Sequence, residues 1–206
     1  MVPPRDGDGA IAPAARWQAP LLIAGAALLF AVTGLCVKLA SSQYSVGELV
    51  FYRALVGFVM MAVLLRRRGI ALRTPVPAMH VWRNVSGVAS LCLWFYAVGG
   101  LPIATAMTLN YTSSVWMALF LIGGASLFGN GRIDGRLFAA VLTGFVGVAL
   151  ILQPTIEQHQ LWHGLGGLAS GLLAAMAYLQ ISALGRAGEP EARTVFYFSL
   201  AGLVAG

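Results

Sequence analysis

Two cations, Lys38 and Arg53, interrupt long apolar stretches of the chain. An ionisable side chain at membrane depth is a functional hypothesis by default, because burying its charge requires a partner or a solute. Arg53 stands about 10 Å along a helix from the start of its stretch, which is too deep for easy contact with water. We therefore expect Arg53 to meet a solute, with Lys38 and Glu48 nearby as gate or charge partners. Two structural alternatives stay open: Lys38 extends to the interface, and Arg53 pairs with Glu48 or with helix carbonyls.

Further polar groups interrupt the apolar sequence between residues 110 and 114, in the order Asn-Tyr-Thr-Ser-Ser. Five consecutive residues point all around a helix, so some of them must face the inside of a helical bundle or a water-filled cavity. Interhelical hydrogen bonding is the alternative for each of them. With aromatic and amide groups of other stretches, they complete a predicted solute-lining set: Arg53, Lys38, Glu48, Tyr52, Trp94, Tyr96, Asn110, Tyr111, Thr112, Ser113 and Gln180.

Residues suited to catalysis or metal binding are scarce. The three histidines are His80, His159 and His163, and the spacing of the last two would suit a metal only on a helix. They lie in a connection with Glu157 as their only acidic neighbour, so loop histidines are the better interpretation. Because a phosphate loop, a nucleophile elbow and a paired intramembrane carboxylate are all missing, we predict no enzyme activity, no cofactor and no metal site.

The elements that must position these residues are membrane-spanning helices. The chain is 59% hydrophobic and 10% charged, with a mean hydropathy of +0.81, whereas a soluble domain carries about 25% charged residues. A bilayer core of about 30 Å needs roughly 20 apolar residues per helix. Six stretches supply that length, and a seventh at residues 194–206 is too short to cross, so the chain looks like a fragment. The six are residues 17–37, 46–65, two within 84–131 on either side of a turn at 99–102, 137–153 and 164–185.

Basic residues fall in alternate connections between these stretches, and this pattern predicts the orientation. Eleven of the thirteen fall on one side, while the connections near residues 41–47, 99–103 and 154–163 have none. The positive-inside rule therefore places the N-terminus on the cytoplasmic side of a bacterial inner membrane. The net charge of +6 thus reflects topology, and no nucleic-acid partner is predicted. The eleven are Arg5, Arg16, Arg66, Arg67, Arg68, Arg73, Arg83, Arg132, Arg136, Arg186 and Arg193.

A short repeat suggests how the bundle is built. Residues 50–57 read VFYRALVG and residues 195–202 read VFYFSLAG, with five predicted crossings between them. An odd number of crossings makes the second copy enter from the opposite side, which is the inverted-repeat construction of many secondary transporters. Arg53 corresponds to Phe198, so the two copies share a scaffold but not the cation.

Small residues and cysteines are interpreted as packing groups. Glycine pairs at 167 and 171 and at 144 and 147 allow helices to approach closely. We favour packing inside the bundle over a dimer face, although a homodimer is possible. Cys36 and Cys92 both lie in apolar stretches, which predicts buried, inert thiols rather than a disulfide.

Three stretches resemble the drug/metabolite transporter superfamily, in particular its EamA-type domains. Residues 48–53, ELVFYR, are similar to the acidic-then-arginine entry to the second helix of that family. Residues 101–106 and 110–112, LPIATA and NYT, resemble its short turn and fourth helix. Residues 135–148 and Pro154 resemble its fifth helix and outer end, and Lys38 matches a basic residue late in the first helix. The chain departs from the family at Ser113 and Ser114, where a proline is common.

The resemblance implies ten helices in two inverted five-helix halves around a central solute site. It divides the chain into a cytoplasmic tail (1–16), a first five-helix repeat (17–154) and the start of a second (160–206). The predicted fold is therefore an all-α polytopic membrane bundle with six full transmembrane helices plus a truncated seventh. The predicted function is transport of a small organic solute by alternating access, with the solute and the lipid bilayer as partners. A non-transporting accessory subunit is the alternative.

Overall fold

The computed structural model describes residues 13–128, 135–152 and 157–206, and these residues are almost entirely helical. The residues outside these ranges include Arg5, Arg132, most of the predicted tail and the predicted boundary at Pro154. The described part contains seven α-helices and no strand, and a single 3-10 turn at Gln158–Gln160 leads into α6. The helices are α1 (Pro13–Ala40), α2 (Val46–Arg68), α3 (Pro77–Gly100), α4 (Ile103–Phe128), α5 (Gly135–Leu152), α6 (Leu161–Arg186) and α7 (Glu191–Ala205).

Three of the described helices are long and apolar enough to cross a membrane: α1 from Pro20, α2 and α6. Their exposed surfaces carry many large apolar side chains, such as Leu22 and Leu29 on α1, and such surfaces suit lipid rather than water. The turn predicted at residues 99–102 is confirmed, because α3 ends at Gly100 and α4 begins at Ile103.

Local signals in the sequence define the ends of α2. Ser45 and Glu48 form a capping box, in which the Ser45 hydroxyl accepts a hydrogen bond from the Glu48 amide and the Glu48 carboxylate accepts one from the Ser45 amide at 2.7 Å. At the other end, Gly69 adopts a left-handed conformation with φ of 62° and ends the helix. Residues 66–68, predicted to lie in the connection, instead form the last turn of α2.

Two further helix boundaries differ from the prediction. Arg83 was expected in the connection between the second and third spans, but α3 already begins at Pro77, a residue whose fixed φ suits the first turn of a helix. His163 was expected in a loop and lies in the first turn of α6. Charge and polarity were misleading at both positions because each side chain packs against another helix rather than facing water.

Glycines let α6 lie close to α3 and α4. A Cβ atom added at Gly171 would meet the Leu109 carbonyl oxygen at 2.8 Å, and one at Gly167 would meet the Leu109 side chain at 2.8 Å. These two glycines therefore serve packing inside the bundle, as predicted. Gly144 and Gly147 on α5 have no described atom close enough to contact such a Cβ atom.

Candidate functional site

A cavity of about 180 Å³, here called the central cavity, lies between the helices. Six helices contribute to its wall: α1, α2, α3, α4, α6 and α7. Its polar and aromatic lining includes three members of the predicted set, together with residues that were predicted for other roles or not at all. The main groups are Arg53, Arg83, Trp94, Asn110, Tyr178 and Phe198.

Two arginines from different helices meet at one aromatic ring. The guanidinium carbon of Arg83 lies 4.0 Å from the centroid of the Phe198 ring, and that of Arg53 lies 5.7 Å from it. Both distances are within the range of cation–π attraction. Arg83 is 8% exposed, whereas Arg53 is exposed and also borders an apolar cavity between α1 and α2.

The surroundings of Arg83 fix its position but leave donors unused. A Cβ atom at Gly87, one turn further along α3, would approach the Arg83 Nη1 atom to 2.7 Å, so glycine at this position gives the guanidinium its room. The Nε and Nη1 groups of Arg83 are buried and have no hydrogen-bond acceptor among the described residues. Buried donors of a charged group are costly to leave unpaired.

Trp94 and Asn110 complete the polar part of the wall. Trp94 is 2% exposed and stacks on Phe30 at a centroid distance of 4.8 Å, which joins α3 to α1. Asn110 is buried on α4 and lines the cavity. Both line the same cavity as Arg53.

The charged partners predicted for Arg53 lie elsewhere. Lys38 donates hydrogen bonds to the carbonyl oxygens of Gly99 and Leu101 at 3.0 and 2.8 Å, where it caps the end of α3. Glu48 bonds to Ser45 in the capping box rather than to Arg53. The alternative in which Glu48 neutralises Arg53 is therefore wrong for the described structure.

The other predicted lining residues are also outside the cavity wall. Tyr52 and Tyr111 are exposed, Tyr96 stacks on His163 at 4.3 Å, and Thr112 donates to the Leu109 carbonyl at 2.6 Å. Gln180 accepts a hydrogen bond from Ser86 at 2.7 Å, and Ser113 is buried. For Gln180 the structure has the interhelical hydrogen bond that was the alternative interpretation, whereas the Thr112 bond lies within α4.

A second polar cluster ties the α2–α3 connection to the α6–α7 connection. The buried Glu189 carboxylate accepts hydrogen bonds from Thr74 at 2.7 Å and Arg193 at 2.9 Å, and lies 3.3 Å from His80 Nε2. Arg193 also donates to the Ala71 carbonyl at 2.9 Å. We call these four side chains, Thr74, His80, Glu189 and Arg193, the Glu189 cluster.

Burial by itself would raise the pKa of Glu189, but the hydrogen bonds from Thr74, Arg193 and His80 and the charge of Arg193 outweigh it and lower the pKa below its ordinary value. The carboxylate is therefore held in its charged form. The cluster is a firm link between two connections at the same end of the bundle.

The sequence analysis missed Arg83 and Phe198 as site residues. One signal for Arg83 was available: Pro77 marks a helix start, and Arg83 follows it by six residues, well inside the helix. Phe198 is the residue that corresponds to Arg53 in the repeat. A phenyl ring in place of a cation gave no reason to expect that the two residues share a site.

Fold and cavity together define a helical membrane protein with a polar, cationic cavity between its helices. The comparison with known families agrees: residues 17–153 match the EamA-like transporter family. The chain belongs to this family.

Curated relatives are transporters. The chain is similar to the pseudopaline exporter CntI of Pseudomonas aeruginosa, with 33% identity over 90% of the chain and 64% of the relative. It is also similar to riboflavin transporters of Rhizobium johnstonii (30% identity, 90% of the chain, 59% of the relative) and Vibrio cholerae (28%, 70% and 49%). The chain thus spans about two thirds or less of these relatives' lengths. No solved structure matches the chain.

Proposed function

We propose that the full-length protein carries a small organic solute across the membrane by alternating access, with the central cavity as its binding site. The observation that carries this proposal is the cavity itself, in which side chains of six helices converge inside an apolar bundle and four of these helices contribute polar or charged groups. Transporter sites of this kind lie between helices near the bilayer midplane. The named relatives include an exporter, but they do not determine the direction of transport for this chain.

An inverted repeat is the second part of the proposal, and contacts between α2 and α7 support it. A Cβ atom at Gly57 would meet Ser199 Oγ at 2.7 Å, and one at Gly202 would meet Ala54 at 2.9 Å. In the repeat, Gly57 corresponds to Gly202 and Ala54 to Ser199. The contacts are therefore reciprocal, as a two-fold relation requires.

The same two-fold relation would also explain why Arg53 and Phe198 meet in the cavity wall. Arg53 and Phe198 correspond in the repeat and contact each other, as two equivalent residues on a two-fold axis must do. We infer that α1 to α5 form one half, that α6 and α7 begin the other, and that α3, α4 and α5 also cross the membrane. Six complete crossings with the basic connections inside would put the N-terminus on the cytoplasmic side of the bacterial inner membrane.

Blocking the cavity tests the proposed function. Ala174 lines the cavity and is 7% exposed, so Ala174→Phe should fill part of it. The assay is uptake and efflux by membrane vesicles that contain the full-length protein, across amino acids, nucleosides, vitamins, cationic drugs and organic acids. The matched control is Ala31→Phe, which places the same ring on an exposed face of α1.

We expect flux of at least one solute class, its loss in Ala174→Phe, and its retention in Ala31→Phe at equal amounts of protein in the membrane. Flux that survives in Ala174→Phe would remove the cavity from the transport path. Absence of flux for every class would favour the accessory subunit instead.

A further inference from the structure

The central cavity contains two cations and no carboxylate. None of its described lining residues is an aspartate or a glutamate, and the described glutamates at positions 48, 157, 189 and 191 all lie outside it. Glu48 and Glu189 are already bonded to other groups. Neither arginine therefore has an acidic neighbour in the cavity wall.

The two charges are close enough to act on one ligand. Since both guanidinium carbons lie over the Phe198 ring, they are at most about 10 Å apart, a separation at which like charges in a poorly solvated site repel each other appreciably. Phe198 attracts both cations through its ring face but cannot accept the in-plane N–H groups. An unpaired buried cation such as Arg83 is unfavourable, and the second positive charge of Arg53 beside it adds repulsion.

The Arg83 donors without acceptors indicate which kind of ligand would compensate the positive charge of the cavity. Arg83 has buried Nε and Nη1 groups without acceptors among the described residues, and these lie on the two different edges of the guanidinium fork, each of which also includes Nη2. A carboxylate or a phosphate matches this fork with two oxygen atoms. Trp94, Tyr178 and Phe198 provide apolar and aromatic surface for the rest of a solute.

We propose that the cavity binds an anionic solute whose carboxylate or phosphate group is held by Arg53 and Arg83 together. This inference rests on the proposed function, since it names the class of solute for the same cavity. Arg83 supplies the buried, preorganised guanidinium fork. The more exposed Arg53 supplies the second positive charge, on the side of the cavity that borders α1 and α2.

The test is binding of succinate and of inorganic phosphate to the purified full-length protein in detergent, followed by tryptophan fluorescence and by thermal stability. Ionic strength is kept constant with chloride. Arg53→Gln and Arg83→Gln each remove one cation. Arg73→Gln is the matched control, because it makes the same change on an exposed residue of the α2–α3 connection.

We expect succinate, phosphate or both to bind to the unaltered protein and to Arg73→Gln, and to bind about tenfold or more weakly to each cavity variant, because each loses a charge-assisted pair of hydrogen bonds. Preference for succinate would identify carboxylate solutes, and preference for phosphate would identify phosphorylated ones. Equal affinity in all four proteins, or absence of binding by both anions, would overturn the proposal.

Arg83→Lys keeps the proposal testable if Arg83→Gln fails to fold, since it retains the charge but not the fork; we expect weakened binding in this variant as well. The result of this binding test can be distinguished from the result of the transport assay for the proposed function. Flux of neutral or cationic solutes without anion binding would reject the arginine site and leave transport standing. Anion binding without any flux would leave the arginine site standing and reject transport.

Discussion

At the scale of single residues, two arginines in helices have different neighbours from those that the sequence suggested. Arg53 was expected near Glu48 and instead shares the Phe198 ring with Arg83. Arg83 was counted among the basic residues that mark the inner side of the membrane. The structure instead buries it within α3, in the wall of the central cavity.

The Glu189 cluster gives a prediction for Glu189→Gln. The substitution removes the charge that Arg193 and His80 face, and breaking a buried charge pair leaves the partner uncompensated, at a cost of about 3 kcal/mol. We expect a clearly lower midpoint of thermal unfolding at pH 7 for the purified protein. Glu191→Gln, an exposed residue in the first turn of α7, is the control and should change the midpoint little. Equal midpoints for the two variants would contradict a stabilising role for the cluster.

The pKa of Glu189 also predicts how this stabilisation depends on pH. A carboxyl group whose pKa is lowered by folding stabilises the folded state fully above its unfolded pKa, whose ordinary value is 4.5, and loses that contribution as the pH falls through the folded value. The unfolding midpoint of the unaltered protein should therefore decrease below about pH 4.5 more steeply than that of Glu189→Gln. Parallel pH profiles for the two proteins would show that Glu189 does not contribute in this way.

At the scale of helices, the close approach of α6 to α4 depends on missing side chains, and at Gly171 the atom opposite belongs to the backbone. Gly171→Ala would place a methyl group 2.8 Å from the Leu109 carbonyl oxygen and against Thr112, and backbone cannot yield as a flexible side chain does. We expect a loss of about 1–3 kcal/mol in stability from this overpacking.

Gly185→Ala on the same helix is the matched control, because a Cβ atom there has no neighbour within 4 Å. It should be neutral or slightly stabilising, since alanine is the better helix former. Thermal unfolding of both variants in detergent provides the comparison. A Gly171→Ala protein as stable as Gly185→Ala would mean that α4 and α6 can separate without cost.

At the scale of the whole molecule, the proposed topology predicts the side of the membrane on which each connection lies. Alkaline phosphatase fused after Gln43 should be active, because residues 41–45 join α1 and α2 on the outer side. A fluorescent protein fused after Arg73 or after Gly188 should fluoresce, because basic residues lie in or beside both connections and favour the inner side. The same location for fusions at positions 43 and 73 would exclude α2 as a crossing.

The sequence by itself determined the helical class, the approximate extents of the helices, the α3–α4 turn and the family. These features depend on hydropathy, glycine and proline placement and charge alternation, all of which are local along the chain. The 145-residue repeat was also visible, since it is a comparison of the sequence with itself.

Only the tertiary structure decided which polar groups share a cavity. Trp94 and Asn110 line it beside Arg53, whereas Tyr52 and Tyr111 are exposed, and Lys38 caps a helix end. Periodicity along one helix does not determine which neighbouring helix it meets or how the two are rotated. That depends on close approaches between helices, such as those of Gly57 to Ser199 and of Gly171 to Leu109, where the fit is decided by side-chain volume and by the residue opposite. The pairing of Arg53 with Arg83 over Phe198 is a result of that packing, and it is the reason why the site could not be assembled from the sequence.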